Sequence, residues 1–190
     1  MTSAGFLRPA AVKELAAVLP SMAEWPFGSG IELNTDPVYH FREYMVAVGL
    51  LRSYRGMLML TPQGRQSLAD PAILWKHIAQ TLILGDSTYH TEVSVVALIH
   101  MATSEGEIDV AAIARTLSVI GWEHEDGDSI SHRDVARVLN GHWIALGNVG
   151  TEEAHTDSSR FTPLVRRPLS QAARVLVADA LFQRVPPLRG

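Results

Sequence analysis

From Pro37 onward the apolar residues Phe41, Tyr44, Met45, Val48 and Leu51 recur with the spacing of one face of an amphipathic helix. Asp36-Pro37 opens that helix with a capping oxygen followed by a proline, whose missing N–H is not needed at the first helical position. Gly49 marks its end, where a left-handed residue closes a helix at little steric cost. Two short apolar runs, Leu50-Leu51-Arg52 and Met57-Leu58-Met59-Leu60, flank Ser53-Tyr54-Arg55-Gly56 and predict a hairpin. Thr61-Pro62 and Asp70-Pro71 repeat the cap-plus-proline device and predict two further helices. The second turns Leu74, Ile78, Thr81 and Leu82 inward and carries Trp75 and Ile83 off that stripe. So wide an apolar arc is buried on two sides, which makes Trp75 and Ile83 interface candidates.

Upstream, residues 9–19 predict a short helix with Val12, Leu15, Ala16 and Leu19 on one side. Residues 20–35, with Pro26, Gly28, Ser29 and Gly30, read as an irregular connection in which Trp25 and Phe27 act as packing anchors. Gly85-Asp86-Ser87 is the clearest internal boundary and divides the chain into residues 1–85 and 86–190, with Ser87 or Thr88 as the next cap. Helices follow over 89–103 and over 110–120, the latter capped by Asp109 and turning Ile113, Leu117 and Ile120 inward. After an acidic loop, Ser131 and Asp134 have capping-box spacing and open a helix carrying Val135, Val138, Leu139 and Trp143. A last helix covers about residues 169–182 and stops before Pro186-Pro187.

The halves echo each other. A helix, Gly49-Leu50-Leu51, a hairpin, Leu60-Thr61-Pro62 and a helix are followed, about half a chain later, by a helix, Leu146-Gly147, a longer polar hairpin, Phe161-Thr162-Pro163 and a helix. The expected fold class is therefore mainly α with small β-hairpin wings: two winged-helix-like halves packed together. The stretch GMLMLTPQGRQSLADPAILW, with SVIGW further on, resembles a helical segment of uncharacterised actinobacterial proteins. In some of these the segment follows a β-rich domain of plasmid open-reading-frame type. The resemblance covers roughly residues 35–185 and carries no assigned activity. The shorter LTPQGR is similar to the segment after the wing in many winged-helix regulators.

Composition narrows the function classes. The 190 residues are 47% apolar and 19% charged, an ordinary globular balance. No apolar run reaches the roughly 18 residues of a membrane span, and the N-terminus lacks a signal-peptide pattern, so a cytoplasmic protein is expected. Without cysteine there is no disulfide, thiol nucleophile or zinc–thiolate site. Net charge is −4: residues 1–85 carry seven positive and six negative side chains, residues 86–190 nine and fourteen. Neither half is basic in bulk, as a domain bound mainly to phosphates would be.

Three function classes remain. A protein-interaction or oligomerisation module, as a homodimer or with another protein partner, rests on the wide apolar arc. A DNA-binding regulator would use two local groups of arginines. The first is Arg52, Arg55 and Arg65 around the hairpin, beside a helix exposing His40, Arg42 and Glu43. The second is Arg133 and Arg137, with Arg160, Arg166 and Arg167 near the second wing, opposed by eleven carboxylates between residues 105 and 157. A metal-dependent hydrolase would draw on His124, His132, His142 and His155 near Glu123, Glu125, Asp126 and Asp128. These show neither HExxH nor calcium-loop spacing, and the loop 123–128 reads as a solvated acidic loop. His100 reads as a satisfied core histidine. No GxSxG, GxxxxGK[ST] or GxGxxG is present. No cofactor, catalytic residue or metal ligand is expected.

Overall fold

The computed structural model describes residues 1–182 apart from 24, 29, 84, 86, 106 and 150–168; residues 183–190 are likewise left undescribed. The predicted caps decide much of what is seen. Helix α1 (Pro9–Ala16) is followed by single 3₁₀ turns at Pro20–Met22 and Glu32–Asn34, and then by α2 (Asp36–Ala47). Asp36 lies inside α2 rather than capping it; Thr35 holds the N-cap position, and its hydroxyl donates back to the Ile31 carbonyl at 2.8 Å. At the far end Gly49, at φ +74°, closes α2, with Gly49 N–H on Val46 O and Leu50 N–H on Met45 O.

Strands β1 (Leu51–Tyr54) and β2 (Met57–Leu60) pair antiparallel, Leu51 opposite Leu60 and Tyr54 opposite Met57. The connection is two residues, Arg55 and Gly56, both at positive φ, rather than the four-residue segment expected. Such a turn matches strand twist, so Ser53 and Tyr54 join the strand. Helix α3 (Pro62–Ala69) starts where Thr61 Oγ1 accepts the Gly64 N–H at 3.0 Å, and α4 (Pro71–Thr81) where Asp70 Oδ1 accepts the Ala72 N–H at 2.9 Å.

Helices α5 (Thr88–Thr103) and α6 (Val110–Val119) start from side-chain caps on Ser87 and Asp109. At the end of α6, Gly121 at φ +103° turns the chain, which leaves Ile120 55% exposed instead of inward. Ser131 and Asp134 form the predicted capping box of α7 (His132–Val138). The expected single helix from 131 divides at Leu139, and α8 (Asn140–Gly147) begins anew. The last helix, α9, spans Gln171–Phe182. Among the described residues the architecture is thus mainly α with one small β-hairpin. The expected second hairpin, near residues 150–160, lies outside the described residues.

By contacts the chain divides into two compact units. One comprises Met1–Trp75 and the segment beginning at Ile144; the other comprises Lys76–Trp143 and the C-terminal helix. In the first, Val12, Leu19 and Val38 form a buried cluster with Leu7, Leu15, Met22 and Phe41 against it. Asn148 ties into this unit by accepting the Ser21 N–H. In the second, α5 packs on α6, α7 and α9, burying Val93, Ala97, Leu98 and Met101 with Ile113, Leu117, Val135, Leu176 and Val177. Arg174 holds the end of α5, its guanidinium donating to the carbonyls of Ser104 and Glu105. Among the described residues, no helix is long and apolar enough to cross a membrane.

Candidate functional site

Four places carry chemistry or surface that the core does not require. The first is the hairpin. Its register puts Arg52, Tyr54, Met57 and Met59 on one face, because residues directly opposite in an antiparallel pair share a side of the sheet. Arg52, Tyr54, Arg55 and Met57 are exposed, and the Arg52 and Arg55 guanidiniums lie 5.6 and 5.1 Å from the Tyr54 ring centre. Arg65, on α3, is exposed and donates to the Leu60 carbonyl at 3.1 Å. None of these three arginines is within ion-pair distance of a carboxylate among the described residues.

The helix beside the hairpin differs from expectation. Arg42, expected at the surface, is 7% exposed, and its Nε contacts Glu32 Oε1 at 2.5 Å while Nη1 reaches Glu43. Glu32 is fully buried, and its second oxygen accepts the Leu7 N–H. Solvent instead meets Asp36, His40, Glu43 and Ala47, one stripe at helical spacing. The buried pair was missed in the sequence because Glu32 stands in an aperiodic segment, where nothing distinguishes an inward carboxylate from a solvated one.

The second place is the corner between α3 and α4. Leu68 is 75% exposed, and Ile73 and Leu74 are each 37% exposed. Ile78 and Leu82 are buried as the spacing predicts and are joined by Ala79 and Ile83, whereas Thr81 is half-buried and Leu74 lies outward rather than inward. Ile83, an interface candidate, is 6% exposed and is consumed within the chain, whereas Trp75 is half-buried. Phe27 is not a packing anchor either: it is 66% exposed and lies edge-on to Trp25 at 5.1 Å.

The third place is the acidic loop and the start of α7. Asp134 Oδ2 takes the Ser131 hydroxyl at 2.5 Å, the Ser131 N–H at 3.0 Å and His124 Nε2 at 3.1 Å. The Ser131 hydrogen bonds, with His124 adding less, hold the Asp134 carboxyl down to about 2. A serine, a histidine and an aspartate thus meet, but the histidine touches the aspartate and not the serine. Both donate to the same carboxylate oxygen, so no base stands ready to take the serine proton. Nearby, Tyr89 lies edge-on to Trp122 at 5.0 Å; burial raises its pKa and the Asp134 charge adds to the rise.

The fourth is an open groove of about 460 Å³ along α6, lined by Ala111, Ala114, Arg115, Ser118, Val119 and His132, among others. Its one arginine already pairs with Asp109 at 3.3 Å.

The remaining sequence candidates fall apart in space. His142 is 6% exposed, with Nε2 2.7 Å from the Leu82 carbonyl, and burial lowers its pKa to about 4, so the neutral ring donates there. His100 is half-buried and bonds Thr116, as a satisfied histidine should. Arg133 is exposed, and Arg137 lies 3.5 Å from Asp134. Arg160, Arg166, Arg167 and His155 lie outside the described residues. Among the described residues no three His, Asp or Glu side chains come together to hold a metal ion. No protein-family model, curated protein or solved structure matches the chain.

Proposed function

We propose that the chain is a non-catalytic protein-interaction module that self-associates through the α3–α4 corner. One observation carries the reading: Leu68, Ile73 and Leu74 reach solvent within a few residues of one another, where a helix pair could have turned them inward. Two copies related by a two-fold axis would bury such a corner on both sides. The arrangement at Ser131, with its hydroxyl committed to Asp134, supports a binding role over nucleophilic catalysis. The resemblance to uncharacterised actinobacterial segments supplies no activity to transfer.

Sedimentation equilibrium tests the reading. The mass should rise with concentration, and Leu68→Glu with Leu74→Glu should hold the chain monomeric without unfolding it, since both residues are exposed. A wild-type chain that stays monomeric across the accessible range would overturn self-association.

A second reading, a DNA-binding regulator, draws on Arg52, Arg55 and Arg65 being exposed without carboxylate partners. Against it, Asp36 and Glu43 on the exposed α2 stripe oppose a phosphate backbone, and Arg42 is buried against Glu32. A metal-dependent hydrolase draws on His124 and His142, each of which already has a hydrogen-bond partner inside the fold.

A further inference from the structure

The hairpin holds two like charges on one aromatic ring. Arg52 and Arg55 flank Tyr54 at 5.6 and 5.1 Å, Arg65 stands on the following helix, and no carboxylate of the described chain answers any of them. In a protein of net charge −4, three exposed unpaired arginines around one short hairpin are a local excess that an incoming anion relieves. The same face also exposes apolar surface: Met57 is 55% and Tyr54 45% accessible. Arginine, tyrosine and methionine are the residue types enriched at the centres of protein interfaces, where lysine and the carboxylates are depleted. Both guanidiniums already rest near the ring, at 5.6 and 5.1 Å, which limits the side-chain order that binding must still impose.

We infer that the exposed face of the β1–β2 hairpin docks an acidic, amphipathic segment of a partner protein. Its carboxylates lie on Arg52 and Arg55, and an apolar side chain between them covers Tyr54 and Met57. Arg65, held on the Leu60 carbonyl at the base of β2, adds a further exposed cation to the unit. A second copy of the same hairpin is a poor occupant, since it would bring arginines against arginines. A nucleic-acid duplex matches the charge but not the surface. Its backbone would leave Met57 uncovered, and the exposed stripe of the neighbouring α2 carries the carboxylates Asp36 and Glu43 rather than cations. An acidic peptide carries separate carboxylates with apolar side chains between them, and so answers both features.

The inference rests on the interaction-module reading but uses a different surface, so the two fail separately. In the test, the full ¹⁵N-labelled chain is titrated with a short peptide alternating glutamate and leucine, with its lysine–leucine counterpart and with a DNA duplex. The expected result is amide shifts centred on residues 52–59 with the glutamate peptide alone. Affinity should fall about tenfold or more in Arg52→Glu with Arg55→Glu, as when charge complementarity is reversed. Met57→Ser, which keeps every charge, should weaken binding by a smaller factor and guards against misfolding of the charge-reversed chain. No shifts with the glutamate peptide, binding that survives charge reversal, or tighter binding of the duplex at the same residues would each overturn the inference. If the peptide fails while the chain still self-associates through Leu68 and Leu74, the interaction-module reading stands and this inference falls.

Discussion

Both units bury an ionisable side chain, and they do so by opposite means. The N-terminal unit buries Glu32 as a charge, answered by Arg42 and by the Leu7 N–H. The second unit buries His142 as a neutral ring, answered by one carbonyl. Charge burial without a partner is costly enough that a group either finds a counter-ion or gives up its charge, and the two units illustrate the two outcomes. The difference teaches that the same physical constraint leaves different marks. A pair is sensitive to the loss of one member, whereas a neutral histidine is sensitive to pH.

The largest effect should come from splitting the pair. Arg42→Ala leaves Glu32 buried with its N–H partner alone and should cost about 3–5 kcal/mol in denaturant unfolding. Glu32→Leu combined with Arg42→Met should recover most of that loss. If the single variant is as stable as wild type, the pair is not the N-terminal unit's solution and the comparison breaks.

Next is the pH response of the second unit. The folded pKa of His142 is depressed to about 4 from 6.5, so the unfolded state binds more protons between those values. Stability is therefore full above about pH 6.5 and falls as pH drops toward 4, by roughly 3 kcal/mol at most. His142→Gln keeps an N–H for the Leu82 carbonyl and removes the titration, so its stability should be flatter over that window. Equal slopes for the two proteins would sever His142 from the pH response.

A smaller effect sharpens the picture of the N-terminal unit. Gly64, in the first turn of α3, faces the Leu50 carbonyl so closely that a Cβ cannot be placed without movement. Gly64→Ala should cost roughly 1–3 kcal/mol by overpacking, read as a lowered melting temperature. Smallest is Ser131→Ala, which removes the cap of α7 and should cost about 1 kcal/mol. It should also let the Asp134 carboxyl rise from about 2, because the Ser131 hydroxyl is the main group holding it down. A carboxyl titration followed by NMR checks that shift.

What was legible in the sequence was local. Thr61, Ser87, Asp109 and Ser131 cap the helices they were expected to cap, because a capping oxygen acts on N–H groups two or three residues away. The hairpin was legible as two apolar runs around a glycine, although its turn is tighter than expected. What was not legible depended on distance. Arg42 reads as a surface residue until Glu32 is placed against it across ten positions of chain. Along α4 and just after it, Ile78 and Leu82 are buried as expected, but Leu74 is exposed and Ile83 buried, because burial is set by neighbours that periodicity alone does not name. Of the candidate site, the hairpin arginines were visible as residues, but not the stacking on Tyr54 that groups two of them.

The central claim is that this chain acts by meeting protein rather than nucleic acid. Its most direct test is sedimentation velocity of the full chain with a fluorescent DNA duplex, across roughly 50–200 mM salt, where phosphate contacts reveal themselves. The account predicts that the duplex sediments alone even at the low end, while the chain's own mass rises with its concentration. A duplex that travels with the chain at low salt and separates as salt increases would contradict it.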